Sequence, residues 1–181
     1  MRTAYEEYRT HLETMLSDAD VVVTDCAAMV TLFNEKSSFG EKSPVNVVHM
    51  IEFLAERVDM LEPRVDLSGE AIMLHDSCFV GRHLELYEET RKLLSSLCGK
   101  PLAEFSTNRA DAPCCGGPSH YHLIAPKASE RCASDRIEQM EREGVEKIVC
   151  CWARCTKAFR RAGDEDVALD VLDLVCRAFE L

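Results

Sequence analysis

Ten cysteines in a chain of 181 residues are the most chemically distinctive feature of this sequence. Five of them form a spaced series: Cys78 alone, Cys114 beside Cys115, then Cys151 and Cys155. Thirty-five residues separate Cys78 from Cys114, and another thirty-five separate Cys115 from Cys151, so each part of the series comes from a different supersecondary unit. Cysteines spaced in this way predict a set of thiolate ligands for a metal cluster.

The adjacent pair lies in the stretch 111–118, where Gly116 and Gly117 let the backbone approach a bulky inorganic core. Three other cysteines lie apart from the series and are predicted to be buried, small apolar side chains: Cys98, Cys132 and Cys176.

Composition narrows the class of protein. The formal net charge of -11, from 32 acidic and 21 basic residues, argues against nucleic acid as a partner. The first eight residues are polar, and no apolar run is long enough to span a membrane. We therefore expect a cytoplasmic protein, in which thiols stay reduced and clustered cysteines bind metal more often than each other.

The hydrophobic pattern predicts an α/β fold with a parallel sheet flanked by helices. Strands are expected at 21–24, 71–74, 101–105 and 147–150, with the first one buried. Helical spacing of apolar residues predicts helices at 5–16, 47–58, 86–97, 133–140 and 167–179.

The predicted strands end close to the cysteines. Cys26, Cys78, the Cys114–Cys115 pair and Cys151 follow such ends, and ligands of parallel sheets collect at the carboxyl edge. Cys151 and Cys155 are four residues apart at the expected start of a helix, which places them on one side and favours their thiolate forms. The sequence thus predicts cysteine ligands at the carboxyl ends of the strands.

Three segments together resemble a known family: His75-Asp-Ser-Cys78, Cys114-Cys-Gly116 and Cys151-Trp-Ala-Arg-Cys155. They are similar to the cysteine-rich CCG domain of the B and D chains of heterodisulfide reductase, the glycolate oxidase iron-sulfur subunit and the lactate utilisation protein A. The resemblance covers about residues 20–165 and includes Arg82.

The chain departs from the family pattern in three ways. Most members have two CCG domains in tandem, so residues 1–66 resemble a remnant of a first half, with helical segments, and 67–181 the CCG domain itself. Cys26 is then either a vestige or part of a site completed by another polypeptide. The family usually has two residues, not three, between the last two cysteines, and its frequent Pro before the first cysteine is Ser77 here.

The resemblance implies an iron-sulfur redox subunit. Its cofactor would be an iron-sulfur cluster of the 4Fe-4S type, in an ordinary or noncubane form, that relays electrons to, or reduces, a disulfide or small organic acceptor. The implied ligands are Cys78, Cys114, Cys115, Cys151 and Cys155. The implied partner is a ferredoxin-like or flavin redox subunit, or a second copy of the chain, through which peripheral membrane attachment stays open.

The sequence also suggests roles for residues close to the proposed ligands, and it leaves other functions to consider. His75, Arg82 and Arg154 are candidates for tuning the cluster by charge or hydrogen bonding, whereas His120 and His122 are expected to have surface or capping roles. The alternative function is a structural zinc site in a subunit without redox activity, because four thiolates suit tetrahedral zinc. A cysteine-nucleophile enzyme lacks a recognisable helper residue, and no dinucleotide-binding glycine motif is present.

The arrangement of polar and apolar residues near the C-terminus bears on whether the chain associates with other chains. Between residues 167 and 179 the polar positions fall on one narrow stripe, so the predicted helix should be buried over most of its surface. It either packs across its own sheet or contacts a partner. Because a missing half would normally cover part of this domain, we expect the chain to work as a subunit or a homo-oligomer and not as a stable monomer.

Overall fold

The chain folds into two parallel β-sheets flanked by helices, and the computed structural model describes residues 2–34, 43–60, 62, 69, 71–117 and 121–180. The strands of this part of the chain are β1 Val22–Thr24, β2 Val47–His49, β3 Ile72–His75, β4 Ala103–Glu104, β5 Lys147–Cys150 and β6 Ala168–Asp170. Its α-helices are α1 Arg2–Met15, α2 Ala27–Asn34, α3 Met50–Ala55, α4 Glu88–Cys98, α5 Tyr121–Ile124, α6 Pro126–Arg142, α7 Ala153–Ala162 and α8 Val171–Phe179.

The main sheet has the strand order β4-β3-β5-β6, with all neighbours parallel. Its central strands β3 and β5 carry almost continuous buried side chains, as expected when helices cover both faces of a parallel sheet. The register pairs His75 with Cys150. The segments that follow β3 and β5 therefore leave the sheet at the same edge.

A second sheet pairs β1 with β2, and Thr24 lies opposite His49. Helix α3 follows β2 directly, and Ile51 and Ala55 from this helix join the same apolar core as the main sheet. The predicted parallel α/β architecture is confirmed, with the sheet divided into two parts.

Two short strands lie where the sequence predicts helix. The apolar stripe from Val47 predicts a helix, yet 47–49 pair with β1, and the helix begins only at Met50. Residues 168–170 pair with β5 before α8 begins at Val171. In both places a three-residue strand runs straight into a helix, so the two apolar patterns merge in the sequence. The first strand is placed correctly, but it is not fully buried, since Val23 is 39% exposed.

Helix ends follow their local chemistry. Gly99 ends α4 in the left-handed conformation with φ of 64°, as the sequence predicts. Asp170 caps α8 by accepting from the backbone of Leu172, and Asp173 completes the capping box. The α8 side chains that pack inward on the core include Val171, Leu174 and Ala178. Among the described helices, none is both long and apolar enough to cross a membrane.

Candidate metal centre

The first part of the site leaves the end of β3. His75 and Ser77 are buried, and Cys78 is half-buried at the start of a π-helix, Phe79–His83. A π-helix is rare and often marks a functional site. At Gly81 a Cβ atom would lie 2.5 Å from the ring of Tyr87, so the missing side chain lets this turn pack closely.

The second part is the turn that carries Cys114 and Cys115. Gly116 has φ of 80°, and a Cβ there would lie 2.6 Å from the carbonyl oxygen of Ser129 in α6. At Gly117 a Cβ would lie 2.7 Å from the carbonyl oxygen of Arg154 in α7. Both glycines therefore allow the turn to fit between α6 and α7, as the sequence suggests.

Hydrogen bonds tie these two parts together. Arg82, from the π-helix, donates from Nε to the carbonyl of Ala110 at 2.9 Å and also donates to the carbonyl of Ala112. Arg82 thus joins the segment of Cys78 to the segment that leads into Cys114. A hydrogen bond with Cys114 and burial both raise the pKa of Cys78. The positive charge of Arg82 acts in the opposite direction and lowers it.

The third part is the start of α7. Cys155 is the third residue of this helix and is fully buried. Its sulfur lies 3.6 Å from the hydroxyl oxygen of Ser77. A helix amino terminus and a hydroxyl donor both favour a thiolate at this position.

Four thiols lie close enough to alter one another's pKa in a continuous series: Cys78 with Cys114, Cys114 with Cys115, and Cys115 with Cys155. Hydrogen bonds from Cys115 and Cys78 lower the pKa of Cys114 to about 2. A hydrogen bond from Cys115 lowers the pKa of Cys155 to about 5, with His75 contributing next among the groups that lower it. The pKa values of the two donors, Cys78 and Cys115, are raised by the same hydrogen bonds and by burial. The site is therefore arranged to hold two thiolates close together, which is the form of cysteine that binds metal.

His75 completes this side of the site. One ligand atom from each of His75, Cys115 and Cys155 lies within 4.8 Å of the others, and all three residues are buried. The imidazole packs edge-on against the Phe159 ring, with a centroid distance of 4.9 Å.

Cys151 points elsewhere. Its sulfur lies 3.8 Å from the hydroxyl oxygen of Thr90 in α4, and burial raises the pKa of this thiol to about 12. The residue precedes α7, which begins at Ala153, so Cys151 and Cys155 are not both on the helix as their spacing predicts. Cys151 also borders a cleft of about 570 Å³ between the β2–α3 and α7–α8 connections.

The remaining candidates lie apart from the four thiols. Cys98 is buried as predicted, whereas Cys132 is half-buried and Cys176 is exposed because it lies on the outer face of α8. Cys26 is half-buried just after β1. The guanidinium of Arg154 lies 5.9 Å from the Trp152 ring centroid. His122 borders a cleft next to Gly117, and His120 lies outside the described residues.

A buried ion pair below the site was not anticipated from the sequence. Asp76 accepts two hydrogen bonds of 2.9 Å from the Arg91 guanidinium and one of 2.7 Å from the Arg109 backbone. Arg91 also binds Glu104 through two hydrogen bonds. The sequence contains one sign of this ion pair, which is an arginine within the apolar face of α4. That sign does not indicate which acidic residue pairs with the arginine.

Comparisons with known proteins match the part of the chain that contains these thiols. Residues 72–160 match the profile of the family described as Cysteine-rich domain, CCG. This part of the chain is a CCG cysteine-rich domain. The match begins at β3 and includes all four thiols in contact, together with Cys151.

Relatives extend the similarity beyond the domain. The chain is 30% identical over 172 residues to the "Probable iron-sulfur-binding oxidoreductase FadF" of Bacillus subtilis (strain 168), covering 90% of this chain and 24% of that protein. It is 26% identical over 147 residues to the D chain of the dihydromethanophenazine:CoB--CoM heterodisulfide reductase of Methanosarcina mazei, covering 78% and 36%. It is 25% identical over 170 residues to the B chain of the fumarate reductase (CoM/CoB) of Methanothermobacter marburgensis, covering 91% and 33%.

These relatives are iron-sulfur oxidoreductases or parts of reductases by name, and the chain is similar to only part of each. It spans between 24% and 36% of their lengths. The similarity is therefore to parts of iron-sulfur oxidoreductases and reductases. It does not transfer the activity of any whole relative.

The side chains present fit an iron-sulfur cluster. Its usual protein ligands are cysteine thiolates, and four thiols here meet at one edge of the sheet, with an imidazole beside them. The glycine turn leaves no side chain between the Cys114–Cys115 pair and α7.

Proposed function

We propose that this chain is an iron-sulfur redox subunit whose cluster is held by Cys78, Cys114, Cys115 and Cys155. The observation that supports the proposal most strongly is the convergence of these four thiols, which come from three separate segments and alter one another's pKa. Cys151 is the fifth ligand that the spacing predicts. Its position beside Thr90 makes its part in ligation a separate question.

A bound cluster of the 4Fe-4S type would supply a one-electron carrier, in an ordinary or noncubane form. The protein groups around it would then set its environment. The Ser77 hydroxyl lies 3.6 Å from the Cys155 sulfur and would donate to its thiolate form, and Arg82 places positive charge near Cys78. Hydrogen bonds and positive charge near the sulfurs both make a cluster easier to reduce.

The acceptor and the partner belong to the same proposal. Electrons would arrive from a ferredoxin-like or flavin redox subunit, or from a second copy of this chain. They would then be relayed onward or would reduce a disulfide or small organic acceptor. Half-buried Cys78 and Cys114 are the thiols of the site that solvent reaches, so an acceptor would approach from their side. A cytoplasmic location, where a reduced set of thiols persists, fits this chemistry.

The deciding experiment is metal and acid-labile sulfide analysis, with an optical spectrum, on protein purified without oxygen. The expected result is iron together with sulfide and an oxygen-sensitive chromophore. Cys114→Ser should remove most of the chromophore, because Cys114 contacts two of the other thiols. Cys98→Ser and Cys26→Ser are controls in which iron content should stay unchanged, since neither thiol belongs to the series in contact.

The second candidate function is a structural zinc site. It is favoured by the number of thiols in contact, because four thiolates suit tetrahedral zinc. About one zinc per chain, with neither iron nor sulfide, would reject the redox function and replace it with this one.

A further inference from the structure

We propose that the imidazole of His75, and not the thiol of Cys151, is the fifth ligand of the metal centre. The inference rests on the metal centre proposed above and names one more of its ligands. Cysteine spacing alone favours Cys151 for this position. The directions of the two side chains favour His75.

Cys151 and its neighbour Trp152 point to opposite sides of the chain. Trp152 is extended, with φ of -151° and ψ of 123°, and its ring lies 4.5 Å from the ring of Phe79, the residue after Cys78. Successive residues of an extended chain alternate sides. Cys151 accordingly faces α4, where its sulfur contacts Thr90. The side of the chain that faces the Cys78 segment is occupied by an indole, which cannot bind iron or zinc.

His75 points into the series of thiols. It is only 1% exposed, and a ring nitrogen lies within 4.8 Å of the sulfurs of Cys115 and Cys155. Because β3 ends at His75, the residue lies at the sheet edge from which the loop to Cys78 begins. The Phe159 ring meets the imidazole at an interplanar angle of 82°, which limits its rotation.

A buried nitrogen of the same ring lacks a hydrogen-bond partner. Within the described part of the chain, Nδ1 of His75 has no partner with ordinary hydrogen-bond geometry, although the ring is close enough to Cys155 to lower the pKa of that thiol. A buried polar atom without a hydrogen-bond partner destabilises the folded chain. A metal bond to this nitrogen would remove that cost. Cys151 has no such deficit, because its thiol already donates to Thr90.

Replacing a thiolate ligand by a neutral imidazole has a measurable consequence. Histidine in place of cysteine raises the reduction potential of an iron-sulfur centre, since less negative charge remains on it. We therefore expect His75→Cys to keep the metal and to shift the midpoint potential in the negative direction.

The test is pulsed electron paramagnetic resonance of the reduced, anaerobically reconstituted protein, made once with natural histidine and once with ¹⁵N-histidine. The expected spectrum contains the strong coupling of a directly bound nitrogen, which changes with the isotope. His75→Cys should abolish the coupling while iron content is retained. His122→Ala is the matched histidine control and should leave the coupling unchanged.

Two further measurements make each outcome decisive. Cys151→Ser should keep its iron and its spectrum, whereas loss of iron on this change, with no bound nitrogen in the parent protein, overturns the proposal. A weak coupling that responds to ¹⁵N would also overturn it, because His75 would then only hydrogen-bond to the centre.

If the protein holds zinc and no iron, X-ray absorption at the zinc edge replaces the resonance experiment. One nitrogen among the sulfur ligands would support His75 even though the redox function had failed.

Discussion

At the scale of single residues, a buried carboxylate holds the ligand segments in place. Asp76 is next to His75 in the loop that leads to Cys78, and it also binds the backbone of Arg109 in the segment before Cys114. Arg109 is held at φ of 51°, a conformation that non-glycine residues seldom adopt. The Arg91 guanidinium neutralises this carboxylate with two parallel hydrogen bonds. Asp76 and Arg91 therefore position two of the three segments that carry thiols.

Arg91→Met should lower the free energy of unfolding by about 3–5 kcal/mol, because it leaves the buried Asp76 carboxylate without its counter-ion. Urea unfolding monitored by circular dichroism measures the change. Arg109→Met is the matched control. It removes an ion pair with exposed Glu88 and a longer one, of 3.5 Å, with partly exposed Glu104, and such solvent-accessible pairs contribute about 1 kcal/mol or less. Equal losses in the two variants would contradict the positioning role of Asp76.

At the scale of secondary-structure elements, the site depends on how closely the cysteine turn approaches α7. The interaction of Cys115 with Cys155 joins these two elements, and Gly117 packs directly against α7. An added methyl group at this position would meet the Arg154 carbonyl and the Ala158 side chain, both at 2.7 Å.

Gly117→Ala should push the turn away from α7, lower the free energy of unfolding by about 1–3 kcal/mol and reduce bound metal severalfold. Metal content per folded protein and urea unfolding measure the two effects. In the control Gly144→Ala, the new methyl meets no atom within 4 Å, so a left-handed backbone cost of about 1–2 kcal/mol is expected without loss of metal. Full metal content in Gly117→Ala would show that the turn tolerates displacement.

A buried histidine caps the amino terminus of helix α3. His49 accepts from the Ile51 backbone through Nδ1, and its Nε2 lies 3.2 Å from the Asp25 carbonyl, so the neutral ring is fully used. Burial lowers the pKa of His49, although the Asp25 carbonyl and carboxylate oppose the shift. Below about pH 6.5 the unfolded chain therefore binds a proton that the folded chain does not, and stability must fall.

Thermal unfolding should show this dependence directly. Between about pH 7.5 and about pH 5.5 the parent protein should lose more stability than His49→Asn, by up to about 1.4 kcal/mol for each pH unit below 6.5. Asparagine keeps a capping oxygen but takes up no proton. Parallel losses in the two proteins would mean that other groups carry the acid sensitivity.

Among the secondary-structure elements, the apolar pattern of the sequence identifies some and misses others. Strands β3 and β5 are recognisable because each is an uninterrupted apolar run that ends at its ligand loop, and α4 is recognisable because Gly99 ends it. Strands β2 and β6 are not recognisable, since each is three residues long and continues into a helix of similar apolarity. Their pairing partners are distant in sequence, so no local pattern records them.

The site is predictable to a similar extent. The spacing predicts that Cys78, Cys114, Cys115 and Cys155 come together, and the structure places these thiols near one another, whereas their part in binding a metal stays a prediction. The direction of Cys151 was not predictable, since it depends on where α7 begins, and a change of one residue reverses the side to which a side chain points.

At the scale of the whole molecule, the structure changes the reason for expecting an assembly. Helix α8 buries Leu174, Val175 and Ala178 in the core of its own domain, which is the first of the two alternatives that the sequence leaves open for this helix. Large apolar side chains are exposed instead on α1, where Tyr8 and Met15 are 59% and 67% exposed, and on α5, where Leu123 and Ile124 are 69% and 83% exposed. Two relatives are named as parts of larger reductases, and the chain spans only about a third of each.

We therefore still predict that the chain is not a stable monomer. Light scattering at micromolar concentration should give a mass above 20.4 kDa, either as a homo-oligomer or, after co-expression, with a redox partner. The measurement should use Cys176→Ser under reducing conditions, because exposed Cys176 could otherwise link two chains covalently. The noncovalent assembly should fall apart on dilution, as expected when apolar burial alone holds it. A monodisperse species near 20.4 kDa that keeps its metal would contradict the prediction, because the centre would then need nothing beyond this chain.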